Sequence, residues 1–169
     1  MTVTTTIING ANALPLYVLI SALLEGIIFQ DNRGLVFFIA LCINFVINFI
    51  LKSILWARNE NAKRPSGATD SKCGDKYGNP SGHAQFAWFF AIFWILYILI
   101  SNTFTNTTAN VLSCISLVLI AIIISSGRII IQCHTLSQVL LGAVIGIIIG
   151  IIAFFCTKNI LISNNNRNV

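Results

Sequence analysis

The sequence predicts an all-α fold: a polytopic transmembrane helical bundle of about five spans, with its active site at one membrane face. Three observations carry that prediction. Charged residues make up 9% of the 169-residue chain and hydrophobic residues 56%, whereas a soluble domain carries about 25% charge. Runs of Ile, Leu, Val and Phe repeatedly reach the ~20 residues needed to cross a bilayer. The runs are continuously apolar rather than alternating, so they read as helices and not as barrel strands. A single membrane-embedded domain over residues 1–162 follows, with an Asn-rich, disordered tail over 163–169.

The first expected span runs from Ala13 to Phe29. Residues 1–10 hold no Lys or Arg, unlike the basic start of a signal peptide, so this span is expected to be retained. Glu25 within it is costly in lipid and calls for a partner or an interfacial position. After a polar turn at Asp31, Asn32 and Arg33, the second span runs from Gly34 to Trp56. The polar segment Ala57 to Gly82 holds most of the charge. The third span, His83 to Ile100, carries an aromatic stripe from Phe86 to Tyr97, which could be core packing or the wall of a groove for a lipid tail. A Thr/Asn-rich loop, with a glycosylation sequon at Asn106, leads to the fourth span, Val111 to Ser126. Gly127 to Cys133 reads as a connector, and the fifth span runs from His134 to Cys156. In it Gly142, Gly146 and Gly150 recur every fourth residue, the spacing of a close-packing ridge that His134 and Gln138 would extend.

The net charge of +5 sits at the ends of apolar runs rather than in a solvated stripe. That excludes nucleic acid as a partner and favours lipid headgroups or bound phosphate. Of the five cysteines, Cys42, Cys73, Cys114, Cys133 and Cys156, those at 42, 114 and 156 lie in apolar runs and read as small buried residues. No CxxC pair supports zinc, and cysteine usage does not reveal a redox compartment.

Alternation of the spans places the segment after the second span, the start of the third, the end of the fourth and the start of the fifth on one face. Every unusual polar residue falls there. The only two histidines, His83 and His134, stand at the starts of two different spans. Tyr77-Gly78-Asn79-Pro80-Ser81-Gly82-His83 leads into a helix, with Ser81 near the cap, and a helix N-terminus can bind an anion. Arg128 precedes His134 by five intervening residues, and Arg suits bidentate phosphate binding. Lys52, Arg58, Lys63 and Arg64 add positive charge to the same face. Together these groups would hold a phosphoryl group while one histidine attacks phosphorus and the other protonates the leaving oxygen. The sequence has no Asp/Glu cluster suited to Mg²⁺, so no metal or other cofactor is expected, and charge would be stabilised by Arg, Lys and backbone N–H groups.

These residues resemble the type 2 phosphatidic acid phosphatase superfamily, whose signature joins K-x6-R-P, P-S-G-H and S-R-x5-H-x3-D elements. The second is intact here as Pro80-Ser81-Gly82-His83. The third reads Gly127-Arg128, five residues, His134, three residues, Gln138, with Gly in place of Ser and Gln in place of Asp. The first is stretched, with eleven residues between Lys52 and Arg64, while five separate Arg58 from Arg64. Tyr77 to Phe90 and His134-Thr135-Leu136-Ser137-Gln138-Val139 are most similar to the dolichyl diphosphatases within the superfamily.

The resemblance implies metal-independent hydrolysis of a polyprenyl diphosphate to the monophosphate. It implies His134 as nucleophile, His83 as general acid, and Arg64, Ser81, Gly82 and Arg128 as phosphate ligands. Lys52 is expected to supply the further phosphate cation in place of Arg58, because Lys52 stands on a helical base. Gln138, one turn after His134, is expected to accept the Nδ1 hydrogen of that ring. The expected partners are a lipid phosphate or diphosphate and the surrounding membrane lipids. The expected location is a multi-pass position in the endoplasmic reticulum membrane with a lumenal site. A phosphatidate or lysolipid phosphatase, and a catalytically silent lipid-binding protein, are the competing functions. The motifs leave the lipid chain, the oligomeric state and the role of Glu25 open.

Overall fold

The computed structural model describes residues 3–29, 32–55, 62–66, 68, 73, 77–101, 103 and 106–163. Arg58 and the tail beyond Ser163 lie outside the described residues. The architecture is a bundle of α1 (Val3–Ile28), α2 (Asn32–Ile50), α3 (Gly82–Ser101), α4 (Thr107–Ile130) and α5 (Leu136–Ser163). A π-helical turn, Leu51–Leu55, continues α2. Among the described residues, four helices from α2 onward are long and apolar enough to cross a bilayer; the apolar part of α1, Ala13–Ile28, is shorter.

Helix starts follow their caps. Asn106 holds an extended backbone, and its side chain accepts from Thr108 N–H at 2.8 Å to begin α4. Ser81 Oγ faces Ala84 N–H at 3.5 Å ahead of α3. At α5, Thr135 Oγ1 accepts from Gln138 N–H (3.3 Å) and Gln138 Oε1 accepts from Thr135 N–H (3.2 Å). This is the reciprocal capping box of a T-x-x-Q sequence.

Two boundaries differ from expectation where the site lies. Gly127 to Ile130 continue α4 rather than forming a connector, so Arg128 is inside the last turn. His134 precedes α5 instead of beginning it, because Thr135 takes the cap. Between them Gln132 adopts φ 59°, and the Arg128 carbonyl accepts from both Cys133 N–H (3.0 Å) and His134 N–H (3.2 Å). That left-handed residue closes α4 and turns the chain back toward the bundle.

The most extensive helix pair is α3 with α5. The glycine ridge makes it possible: a Cβ at Gly142 would come within 2.5 Å of Ser81 O, one at Gly146 would collide with Gln85 O, and one at Gly150 would approach Phe89 O at 3.0 Å. Close backbone approach is how membrane helices gain van der Waals contact. The aromatic stripe belongs to the core. Phe86, Phe89, Phe93 and Tyr97 are buried, and Phe93 packs against Phe37 (5.1 Å) and Phe154 (6.0 Å). The outer part of the stripe, Phe90, Trp94 and Tyr97, lines a cleft of about 480 Å³ against Leu112 and Ser116 of α4, and a second, apolar cleft of about 380 Å³ opens between α2 and α5, beside Val36, Ile43, Ile149 and Ile160.

Buried polar contacts set the register of α2 against α3. Gln85 Nε2 donates to Asn44 O (3.0 Å) and Asn44 Oδ1 (2.9 Å), and Asn48 Nδ2 donates to Gln85 Oε1 (2.8 Å). Polar side chains at membrane depth are retained when they satisfy one another inside the bundle. Lys52 lies one turn beyond Asn48, in the π-helical turn.

Candidate active site

A short antiparallel contact builds the floor of the site. Lys63 bridges Tyr77, and Gly78 N–H donates to Ala62 O at 2.7 Å. The first turn of α5 is tied to this floor by Gln138 Nε2, which donates to Lys63 O at 2.7 Å. Ser81 N–H donates to Gln138 O at 3.0 Å and so brings the start of α3 against the start of α5. The peptide between Asn79 and Pro80 is cis. The order of the sequence motifs is thus converted into one compact cluster at the end of the bundle.

His134 sits at the centre and is 2% exposed. Its Nδ1 donates to the Gly78 carbonyl at 2.7 Å. That fixes the tautomer and leaves the Nε2 lone pair facing Arg64 Nη1 at 3.2 Å. Gln138, the expected acceptor of the Nδ1 hydrogen, has a different place: its oxygen caps α5 and its amide holds Lys63. It still packs directly behind Gly78, where a Cβ would meet Gln138 Oε1 at 2.6 Å. Gln138 therefore bears on His134 through the Gly78 segment.

Burial pushes the His134 pKa down to about 3, and the positive charges of Arg64, Lys52 and Arg128 push in the same direction; the Gly78 bond opposes them. The lowered pKa favours a neutral ring across the physiological range. The same effect shows that Lys52, Arg64 and Arg128 all bring their charge to bear on one ring. Lys52 is 8% exposed and Arg128 3%. Three cations gathered in a partly desolvated site favour a multiply charged anion there.

Arg64 is anchored on both sides of its guanidinium. Nη1 donates to Cys133 O at 2.8 Å, and Nη2 donates to Cys73 O at 3.0 Å. Cys73 and Cys133 are joined by a disulfide, Cα–Cα 5.3 Å, across 60 residues of sequence. Sequence reasoning missed this bond, although the pair stood apart from the three cysteines in apolar runs. It also missed the T-x-x-Q cap, whose signature was present at Thr135 and Gln138.

Three further expected site residues lie at the start of α3. Ser81 is fully buried at the cap of α3, and Gly82 opens the helix beside Asn48, whose Oδ1 a Cβ would approach at 3.0 Å. His83 follows in the first turn, half-buried. Asn79 Oδ1 is buried and meets no hydrogen-bond partner among the described residues. Among the described residues no group of three or more His, Cys, Asp or Glu side chains is placed to hold a metal ion.

Residues 33–161 match the PAP2 superfamily. The chain is 29% identical over 154 residues to dolichyldiphosphatase 1 of Homo sapiens and 30% to that of Mus musculus, in each case covering 87% of this chain and 62% of the relative. It is 32% identical over 152 residues to dolichyldiphosphatase 1 of Rhinolophus ferrumequinum, covering 85% of this chain and 61% of the relative. The chain thus spans about three fifths of the length of these curated relatives. No solved structure matches it.

Proposed function

The chain belongs to the PAP2 superfamily, and from that premise we propose that it is a lipid phosphatase that converts a polyprenyl diphosphate of the dolichyl kind to the monophosphate. The observation that carries this reading is the His134 ring: neutral, held by Gly78 through Nδ1, with Nε2 directed at Arg64. The relatives' name supplies the substrate class.

In the proposed reaction the terminal phosphoryl group replaces the present Arg64–Nε2 contact, and its oxygens take the donors of Arg64, Arg128, Lys52 and the α3 N-terminus. His134 Nε2 attacks the terminal phosphorus. The bond from that phosphorus to the bridging oxygen breaks, and His83 gives its proton to the departing lipid monophosphate. Water, deprotonated by His83, then attacks the phosphohistidine and releases inorganic phosphate. The Gly78 carbonyl stabilises the Nδ1–H through both steps. In-line attack from a fixed ring gains from orientation, and the gathered cations stabilise charge on the transferring group.

Location follows the same reading. Four helices suited to spanning make this a multi-pass membrane protein. A disulfide beside the site supports an oxidising compartment, and with it a lumenal site in the endoplasmic reticulum. Phosphate release by the purified protein from a panel of lipid diphosphates, polyprenyl monophosphates, phosphatidate and lysophosphatidate tests the proposal. Preferred turnover of polyprenyl diphosphate is expected; preferred turnover of phosphatidate would replace the substrate, and release from none of them would end the enzymatic reading.

A further inference from the structure

Arg64 stands on the segment between α2 and α3, just after the Lys63–Tyr77 bridge and outside any helix. Its two terminal nitrogens nevertheless each meet a backbone carbonyl at hydrogen-bond distance. Those carbonyls belong to the two residues that the disulfide joins, Cys133 and Cys73. This coincidence is the observation to be explained.

The two anchors differ in how they are held. Cys133 is secured from its own side, because its N–H donates to Arg128 O at 3.0 Å, at the end of α4. Cys73 belongs to the same polar segment as Arg64. The Lys63–Tyr77 bridge and the Gln138–Lys63 bond tie the two ends of that segment, and the sulfur bridge fastens Cys73 itself to Cys133. The peptide that carries the Cys133 carbonyl also carries the His134 N–H. The bridge, the guanidinium and the ring are therefore set in one register.

We propose that the Cys73–Cys133 disulfide is a positioning element for catalysis, which holds Arg64 in phosphate-binding geometry beside His134. The proposal rests on the reading of Arg64 as a phosphate ligand. With the bridge intact, Nη1 and Nη2 are oriented before substrate arrives, and the guanidinium need only exchange its Nε2 contact for a phosphoryl oxygen. Without it, the Nη2 anchor moves with the loop, and Arg64 loses its fixed angle to the ring. Cys73 and Cys133 themselves touch no reacting atom. Reduction by a dithiol opens the bridge: two electrons and two protons pass from the dithiol to it, giving two cysteine thiols and a cyclic disulfide.

The experiment compares wild type, Cys73→Ser, Arg64→Ala and the double variant. Three quantities are read for each: the ligand-free melting temperature, the rise in that temperature caused by orthovanadate, and kcat/KM for a polyprenyl diphosphate. Cys73→Ser is expected to lower kcat/KM by about tenfold, the scale of one charge-assisted hydrogen bond, and to shrink the orthovanadate response. On the Arg64→Ala background the same substitution should change both by less than about twofold, because its target is already gone. Full wild-type values in Cys73→Ser, or losses that multiply independently of Arg64→Ala, would overturn the proposal. If Cys73→Ser does not fold, folded wild type and Arg64→Ala treated with dithiothreitol give the same comparison. Thiol alkylation and mass spectrometry verify that the bridge has opened. If no lipid phosphate is turned over, the functional reading fails by itself, and the orthovanadate responses still decide what the disulfide does.

Discussion

The carbonyl of Gly78 lies 2.7 Å from Nδ1 of His134, across 56 positions of sequence. This one bond selects the tautomer with Nε2 unprotonated, the nitrogen to which the proposed function assigns the attack. The depressed pKa sharpens the consequence. In the unfolded chain the ring takes up a proton near pH 6.5, and in the folded site only near pH 3. Between those values the unfolded state binds the extra proton, so the contribution of His134 to stability is complete above about pH 6.5 and is lost as pH falls toward 3. His134→Ala should therefore abolish turnover and phosphoenzyme labelling, and should also flatten the fall in melting temperature with acid. Appreciable residual labelling would show that another group is the nucleophile.

Arg64 is the largest charge contribution to that low pKa. Arg64→Gln should raise the His134 pKa and carry the acidic limb of kcat/KM toward higher pH, on top of a loss in rate. The pH profile of the free enzyme is the measurement. An unchanged limb would mean that protonation of His134 does not control the acid side.

Lys52 acts electrostatically on His134 from the π-helical turn after α2. We expect Lys52→Ala to lower kcat/KM by about 10²-fold, the scale of losing one preorganised contact to developing charge. Arg58→Ala should matter much less. Initial rates of the two variants on the same substrate decide, and the reverse order would move the first motif element onto Arg58.

Gln138 should behave as a support. Gln138→Ala removes the reciprocal half of the capping box, the acceptor for Thr135 N–H, together with the donor to Lys63 O. Melting temperature and kcat/KM should both fall. Gln138→Glu keeps the acceptor but cannot donate to Lys63, so its activity should fall with a smaller loss of melting temperature. A Glu variant equal to wild type in both would remove Lys63 from the positioning of the site.

Topology can be read in cells. With a lumenal site, the α3–α4 loop is cytosolic and Asn106 carries no glycan, while Cys73 and Cys133 resist alkylation unless reductant is added. A glycan on Asn106, or both thiols free before lysis, would put the site on the cytosolic side.

The sequence by itself determined the helical bundle, and its motifs marked out the polar residues of the candidate site: His83, His134, Ser81, Gly82, Arg64, Arg128 and Lys52. Those features are carried by hydropathy, residue spacing and chain alternation, all of which are local or additive along the chain. It placed the end of α4 too early, because Ser125, Ser126 and Gly127 weaken the apolar run without breaking the backbone hydrogen bonds. Only the tertiary structure decided that Gly78, and not Gln138, accepts the His134 hydrogen, and that Cys73 meets Cys133. Both depend on where the polar segment folds back. Its course is set by the Lys63–Tyr77 bridge, the Gln138–Lys63 bond and the turn at Gln132 acting together. Each of these is a contact between groups distant in sequence or a single backbone angle, and neither leaves a periodic trace in the order of residues.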